Sequence, residues 1–438
     1  MTTSKQNIDE MQPPGPRDAY EIGATDETID RMMEWFREFG DTYRVFARQR
    51  NSWTWVIQHP DDVKRVLVTN HRNYTKGFGI ERVKLLLGKG IMTSEGAFWR
   101  RQRRMMQPAF HRKVIEKFAG IIRGASERTL AEWDSAADQR RPINLTVAMS
   151  ELTLNVILQS IFSEDLDQLV SDLQDNPFMV VTRESRRDPR FAYEFRQLGR
   201  HVREIMHARR DSESPRFDFM QMLLEARDPD TGEGMSEREL LDEVLTLVVA
   251  GHETTASALN WTWLLLARHP EVAARVHAEN DAVGDLGEAR FADIEKLPLT
   301  LRVLKESMRL YPPGWVLTRR SIGPDRLGGF ELPAGTDVFL SPYVVHRHPE
   351  FWESPERFDP EHFDPVRAEG RHKFAYIPFA AGPRHCIGEN FSLYEMVLHL
   401  NGALRRFNLA EVDPGPVAIE ARVNLRTAQD IKMRVEKR

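Results

Sequence analysis

Apolar side chains recur at every third or fourth position through much of the chain, from Pro60 to about Arg309. This spacing keeps them on one face of successive helical turns and therefore predicts a run of helices. Earlier, apolar and polar residues alternate over 43–58, with Asn51 and Ser52 between two such runs. Alternation interrupted in this way predicts a β-hairpin.

The C-terminal part has a different pattern. Beyond Trp315, prolines and glycines become frequent, strand-like pieces are short, and one more helical stretch follows Cys386. A short amphipathic helix is also predicted over 28–39. Together these patterns predict a mainly α fold with small peripheral β-sheets. We expect a single domain over 21–438, preceded by a polar N-terminal arm over 1–20.

One predicted helix is unusually long. Ser236 and Glu239 fit a capping box, which marks a helix start, and the helical pattern continues to Arg268. At ~1.5 Å per residue this helix would be roughly 45–50 Å long. Its middle, 244–261, is apolar on nearly all sides, which indicates that it is buried.

Composition narrows the class of protein. The chain has 438 residues, 41% hydrophobic and 29% charged, which is ordinary for a globular protein and argues against disorder. Sixty-one basic and 66 acidic residues leave a net charge of -5, so a dedicated nucleic-acid binder is not expected. The polar N-terminus does not resemble a secretory signal, and we predict a cytoplasmic protein without a membrane anchor.

The segment 250–255 places unusual residues inside the long helix. Gly251 is unfavourable in mid-helix by ~1 kcal/mol, and a carboxylate such as Glu253 is costly there unless it is paired or solvated. The Thr254 hydroxyl can bond the carbonyl oxygen four residues earlier. These residues suggest a local opening suited to proton relay, although a kink with a satisfied core His252 would explain them too. A zinc-protease motif is excluded, because Ala256 stands where a second histidine would be needed.

The segment 378–388 carries the single cysteine of the chain. Two glycines and two prolines stiffen it, and the helical spacing that follows puts Cys386 near a helix N-terminus. That position, together with Arg384, favours a thiolate. The alternative is a small buried hydrophobe, as for most lone cysteines. With no second cysteine, a bound metal would have to be held mostly by a non-protein group, and an iron porphyrin meets that condition.

Four segments in this order resemble the cytochrome P450 monooxygenase family. Phe379, Gly382, Arg384, Cys386 and Gly388 match its haem-binding signature. The other matches are the Glu-x-x-Arg at Glu306 and Arg309, the segment around Arg357, and the oxygen-binding groove over 250–255. The resemblance implies the family's helical prism, haem b as cofactor, O2 as co-substrate and Cys386 as the iron ligand.

The resemblance also implies individual roles. Thr254 and Glu253 would steer protons, and Glu306, Arg309 and Arg357 would form a triad that locks the cysteine loop. Haem would be contacted by a set of further residues, of which the cations could instead be solvated surface charges: Trp99, Arg103, Arg319, His385, Arg384, Phe379, Gly388, Ala250 and Gly251.

The sequence gives less information about the substrate. By analogy with the family, a mostly apolar set would face the pocket, although several of its members could be plain core residues: Phe78, Ile80, Thr246, Val249, Ala250, Val316 and Leu317. We expect a hydrophobic or amphipathic small molecule such as a terpenoid, fatty acid or polyketide.

Electrons are expected from separate proteins, a ferredoxin or flavodoxin with a reductase, because no nucleotide-binding glycine motif is found. The basic stretch from Arg100 to Lys117 suggests a docking face for a small acidic redox protein, although such a run is usually a solvated face. We expect a monomer. Two rival functions stay open at this point: a same-fold enzyme that uses peroxide or isomerises its substrate, and a haem sensor or carrier without turnover.

Overall fold

The computed structural model describes residues 12–23, 25–182, 189–210, 216–287 and 289–438. The described α-helices are α1 (Asp26–Phe39), α2 (Pro60–Lys64), α3 (Ile80–Leu87), α4 (Gly96–Met106), α5 (Arg112–Ile115), α6 (Ala119–Asp138), α7 (Leu145–Phe162), α8 (Glu164–Leu173), α9 (Pro189–Arg210), α10 (Phe219–Glu225), α11 (Glu237–Arg268), α12 (Pro270–Val283), α13 (Pro298–Leu310), α14 (Pro342–Val345) and α15 (Glu389–Leu404). A π-helical turn, Arg65–Thr69, continues α2, and several short 3-10 turns are left out here. The mainly helical prediction is confirmed.

The strands are short, as predicted. In chain order they are β1 (Thr42–Ala47), β2 (Ser52–Ile57), β3 (Tyr74–Lys76), β4 (Ile143–Asn144), β5 (Leu317–Ser321), β6 (Asp325–Leu327), β7 (Phe330–Leu332), β8 (Asp337–Leu340), β9 (Phe407–Glu411), β10 (Ile419–Ala421), β11 (Leu425–Thr427) and β12 (Lys432–Lys437).

The chain divides into two compact units that alternate along the sequence. Unit 1 comprises Met1–Ile80, Arg302–Cys386 and Gly415–Gln429. Unit 2 comprises Glu81–Leu301, Ile387–Pro414 and Asp430–Arg438. The single domain over 21–438, with an arm over 1–20, stays a prediction.

Unit 1 is built on a five-stranded sheet of order β1-β2-β8-β5-β3. The predicted hairpin is its edge: β1 and β2 pair antiparallel from Thr42 opposite Ile57 to Ala47 opposite Ser52. Strand β2 then pairs parallel to β8, and the remaining pairs are antiparallel. Apolar residues of β2, α2 and β8, among them Trp55 and Val63, form the buried core under this sheet.

Unit 2 holds the long helix. Helix α11 begins after Ser236, whose hydroxyl accepts a hydrogen bond from the Glu239 backbone N–H in a complete capping box, and it ends at Arg268 as predicted. Helix α7 lies along α11, and α6 packs on α15. A small sheet of order β4-β12-β9 completes the unit.

Helix α7 is the one helix among the described residues that could cross a membrane by its length and composition. However, 61% of its 18-residue window is buried inside the protein. Burial of this kind is what the core helix of a globular protein shows, since such a helix is apolar on most sides.

Candidate functional site

The cysteine loop of unit 1 has a backbone held in one conformation. The Cys386 backbone N–H donates to the Phe379 carbonyl oxygen (2.9 Å), and the His385 N–H donates to the Gly382 carbonyl oxygen (3.0 Å). Gly382 has φ +72°, and a Cβ there would lie 2.0 Å from the Leu67 carbonyl oxygen. Only glycine fits such a position. The loop thus presents Cys386, whose side chain is exposed, at the end of a fixed turn.

Glu306 and Arg309 form a fully buried ion pair in the same unit. Arg309 Nε donates to Glu306 Oε2 (2.7 Å) and Arg309 Nη2 to Glu306 Oε1 (2.8 Å), a bidentate geometry. The remaining Arg309 hydrogens are taken by backbone carbonyl oxygens of His346, Pro355 and Arg357. The predicted helical i, i+3 pair is therefore present and fully satisfied.

The third side chain of this cluster is His362, which sequence reasoning did not identify. Its Nδ1 lies 3.0 Å from Glu306 Oε1 and its Nε2 lies 2.8 Å from the Glu353 carbonyl oxygen. Both ring nitrogens therefore lie within hydrogen-bond distance of an oxygen atom. Arg357 enters the network only through its carbonyl oxygen, and its side chain is exposed.

Opposing effects act on the Glu306 carboxyl. Burial alone would raise its pKa, but hydrogen bonds from Arg309 and His362 outweigh burial, so the pKa of Glu306 lies below its usual value. The carboxylate is therefore charged at neutral pH. The Glu306 carboxylate and the Arg309 guanidinium thus form a charge pair shielded from water. Removal of one partner of such a pair costs far more stability than it would at the surface.

A buried histidine connects this cluster to the cysteine loop. Arg309 Nη1 donates to the His346 carbonyl oxygen (3.0 Å), and the His346 ring bridges the Arg309 carbonyl oxygen (Nδ1, 3.2 Å) and the Ile377 N–H (Nε2, 2.8 Å). Burial, and then the charge of Arg309, lower the pKa of His346 to about 3. The ring is neutral, donating at Nδ1 and accepting at Nε2. Ile377 directly precedes the loop, and its carbonyl oxygen accepts from Ala380 N–H (3.0 Å).

The middle of α11, in unit 2, has one packed face and one open face. A Cβ on Gly251 would lie 2.9 Å from Ile157 of α7, so glycine permits the close approach of the two helices. His252 is buried with its Nε2 2.9 Å from Ser150 Oγ, and burial lowers its pKa to about 4. His252 is thus a satisfied core histidine, as the alternative interpretation of this segment held.

The other face of α11 presents small and polar groups. Ala250 is exposed, although it sits in the middle of an otherwise buried helix, and Glu253 and Thr254 are partly exposed. The Thr254 hydroxyl donates to the Ala250 carbonyl oxygen four residues earlier (2.8 Å). The helix is continuous over Glu237–Arg268, so the expected local opening is limited to this side-chain hydrogen bond.

The residues expected to contact haem are divided between the units. Unit 2 holds Trp99, which is buried, and Arg103, which is partly exposed, one turn apart on α4. Unit 1 holds the buried Arg319 on β5, whose Nη1 donates to the Thr318 carbonyl oxygen (2.8 Å). The remaining haem-contact residues of the cysteine loop, Phe379, Arg384 and His385, are partly exposed, and so is Gly388.

The expected pocket residues differ in exposure. Ala250 is exposed, and four others are partly exposed: Ile80, Val249, Val316 and Leu317. Phe78 is partly exposed too, with Arg50 3.7 Å above its ring and Phe339 stacked 6.2 Å away. Thr246 is only 1% exposed, and its hydroxyl donates to the Asp242 carbonyl oxygen (2.7 Å). Thr246 therefore uses its polar atom within the protein.

The donor set fits a haem better than a metal held by protein alone. Among the described residues, no group of three or more His, Cys, Asp or Glu side chains could hold a metal ion. One exposed cysteine on a stiff loop is what an iron needs when a porphyrin already supplies four nitrogens. The residues present are thus compatible with haem.

Comparison with known proteins gives the family. The Cytochrome P450 family profile matches residues 18–180 and 176–429. Cyclooctatin synthase of Streptomyces melanosporofaciens is 37% identical over 87% of this chain and 85% of its own length. Pentalenene oxygenase of Streptomyces avermitilis is 32% identical over 82% of this chain and 83% of its own length.

Solved structures agree with the predicted fold. The heme domain of cytochrome P450DA superposes with a TM-score of 0.84, at 25% identity, over 98% of each chain. The mainly helical fold and the haem-binding signature around Cys386 thus coincide with a family match over almost the whole sequence. The chain belongs to the cytochrome P450 family and is a haem-thiolate monooxygenase, which inserts one oxygen atom of O2 into a hydrophobic organic substrate.

Proposed function

We propose that this monooxygenase acts on a terpenoid hydrocarbon or a terpenoid alcohol. Two observations support this class of substrate. The relatives named above include an oxygenase of pentalenene, and a further relative with 35% identity is named cyclooctat-9-en-7-ol 5-monooxygenase. The side chains proposed to face the pocket are mostly apolar, and apolar pockets with few polar groups suit such molecules.

Cys386 is proposed as the protein ligand that would hold the haem iron. The observation that carries this role is its exposed position on a loop with a fixed backbone, tied through Ile377 and His346 to the Glu306–Arg309 pair. When bound, the haem supplies the activation of O2. The loop and the buried pair keep the sulfur in one place, and precise placement of a ligand is the chief contribution of such supporting residues.

The haem carboxylates are proposed to bind cationic and N–H donors. Arg103, Arg319 and His385 offer positive or hydrogen-bonding groups, and Trp99 offers an indole N–H. Phe379, Arg384, Gly388, Ala250 and Gly251 complete the proposed haem contacts.

Proton transfer is proposed at Thr254 and Glu253. The Thr254 hydroxyl is held by the Ala250 carbonyl oxygen, which leaves its own lone pairs free to accept a hydrogen bond. Glu253 is the adjacent carboxyl group and is partly exposed. A hydroxyl in a fixed orientation next to a carboxyl group can hold a proton and pass it on, which is the role proposed for Thr254 and Glu253.

Electrons are proposed to come from a separate ferredoxin or flavodoxin with a reductase, and the enzyme is proposed to work as a cytoplasmic monomer that binds no nucleic acid. Part of the basic stretch is already paired: Arg101 Nη1 lies 3.1 Å from Glu239. Arg112 and Lys113 are exposed and are the better candidates for docking an acidic partner.

The reduced protein under carbon monoxide tests the ligand. The wild type should show the strongly red-shifted band of thiolate-ligated haem, and Cys386→Ser should lose it while it keeps its helical circular dichroism. A folded wild type without this band would refute the role of Cys386. A screen of pentalenene-like hydrocarbons and alcohols for a spin-state shift, followed by product analysis, tests the substrate class. A screen in which only fatty acids shift the spectrum would contradict that class.

A further inference from the structure

Two adjacent acidic residues of α11 hold the backbone of a distant segment. Asp242 Oδ2 accepts a hydrogen bond from the Lys89 N–H (2.7 Å), and Glu243 Oε2 accepts one from the Ile91 N–H (2.7 Å). We call 88–94 the latch segment; it joins α3 to α4. Carboxylate side chains that take two backbone donors of one loop fix that loop against their helix.

The latch segment lies unusually close to α11. A Cβ on Gly88 would lie 2.3 Å from the Asp242 carboxylate, and a Cβ on Gly90 would lie 2.1 Å from Thr246 Oγ1. The Gly90 carbonyl oxygen accepts from Thr93 N–H (3.0 Å), which closes a turn within the segment. The contact needs glycine at both positions, so the segment is fitted to this face of the helix.

The surroundings of Glu243 disfavour its ionised form. Its side chain is fully buried, and Oε1 has no hydrogen-bond partner. Burial raises the pKa of Glu243 to about 8. The hydrogen bond from the Ile91 N–H acts in the opposite direction but is outweighed, and the charges of Asp242 and Glu239 add to the rise. At neutral pH the Glu243 carboxyl group is therefore mostly protonated while the latch segment is in contact with α11.

Charged side chains of α11, of the neighbouring α4 and α9 and of the latch segment are paired or lie at the surface. They include Arg101 of α4, 3.1 Å from Glu239; Arg238 of α11, 3.7 Å from Asp242; His201 of α9, 3.2 Å from Glu204; His207 of α9, 3.3 Å from Glu237; and the exposed Lys89. The cations near Asp242 and Glu239 act on those residues, and burial remains the main influence on Glu243.

We propose that Glu243 is a positioning residue whose proton closes the latch segment onto α11, so that the segment opens with release of that proton. The consequence for the site rests on the proposed function, because Trp99 and Arg103 follow the segment directly in α4 and take their place from it. A solvated Glu243 would ionise near pH 4.5, its ordinary value. The open state is thus favoured about tenfold per pH unit between pH 4.5 and about 8, and no further above that range.

Hydrogen exchange of the haem-loaded enzyme tests the proposal. Peptides that cover 88–94 are followed by mass spectrometry at pH 6, 7, 8 and 9, with correction for the intrinsic exchange rates. In the wild type we expect protection of this segment to fall about 100-fold from pH 6 to pH 8 and then to level. Glu243→Gln, which copies the neutral acid, should remove the slope. Glu237→Gln, on the same helix with a side chain 40% exposed, is the control and should behave as the wild type.

The outcomes separate clearly. Flat protection in the wild type, or the same slope in Glu243→Gln as in the wild type, would overturn the proposal. If Glu243→Gln does not fold, the wild-type pH series still decides, since the proposal requires its slope and its plateau. A failure of the proposed roles of Trp99 and Arg103 would give a different result. Variants of these two residues would then bind haem with normal affinity, while the pH dependence of hydrogen exchange in 88–94 stayed as in the wild type.

Discussion

Replacement of Glu306 by glutamine should destabilise unit 1 severely. In the wild type, Oε1 accepts from Arg309 Nη2, from the Asp359 N–H (2.9 Å) and from the His362 ring, while Oε2 accepts from Arg309 Nε. Glutamine has one oxygen and one NH2 group, so in either orientation an N–H would face a donor. Arg309 would also keep a buried charge without its counter-ion.

This geometry gives the expected loss in the free energy of unfolding. Removal of one partner from a buried ion pair costs about 3–5 kcal/mol, because the remaining charge stays desolvated. The matched control is Glu353→Gln, since the Glu353 side chain is 81% exposed and pairs with Arg367 at 3.2 Å. An exposed pair of this kind contributes less than about 1 kcal/mol. The control also leaves the Glu353 carbonyl oxygen available to His362.

Denaturant unfolding at pH 7, followed by circular dichroism and by the thiolate-haem band in parallel, measures the effect. The pH dependence gives a second readout. Because the pKa of Glu306 is lowered on folding, its contribution is present above about pH 4.5 and is lost as the pH falls through its folded value. Glu306→Gln should lack this acid-dependent component. A variant within about 1 kcal/mol of the control would refute the reasoning.

Three further predictions concern other parts of the molecule. Thr254→Ala should release more peroxide per electron consumed and yield less product, and full coupling in a peroxide assay would remove its proposed role. Gly251→Ala should lower the free energy of unfolding by about 1–3 kcal/mol through overpacking against Ile157. In thermal unfolding, the double variant Gly251→Ala with Ile157→Val should recover part of this loss. If the single and the double variant are equally stable, the contact is excluded as the cause. Charge reversal at Arg112 and Lys113 should slow reduction by an acidic ferredoxin at low salt, with the difference vanishing at high salt; unchanged stopped-flow rates would exclude this docking face.

Local patterns predicted the local elements well. The capping box at Ser236 and the helical spacing up to Arg268 gave both ends of α11, and the alternation over 43–58 gave the hairpin. These signals succeed because capping and side-chain periodicity act between residues a few positions apart. The cysteine loop was found for the same reason, since its glycines and prolines lie in one short segment.

Contacts between distant segments were not predictable. His362 reaches Glu306 across 56 residues, and His346 reaches Ile377 across 31. No spacing rule marks such partners, and a lone histidine is more often a core residue than a link in a network. The contact of Asp242 with Lys89 spans 153 residues and was missed likewise, although two adjacent acids at the start of a buried stretch were visible in the sequence.

The neutral ring of His346 determines how acidity would affect the loop that carries Cys386. A ring that donates on one side and accepts on the other would lose its bond to Ile377 on gaining a proton, and burial postpones that gain to about pH 3. The hydrogen bond from the Ile377 N–H to the His346 ring therefore persists at every pH well above 3, a range that includes the pH inside cells. The proton response proposed for 88–94 and the hydrogen bonds behind Cys386 would therefore operate in separate ranges of pH.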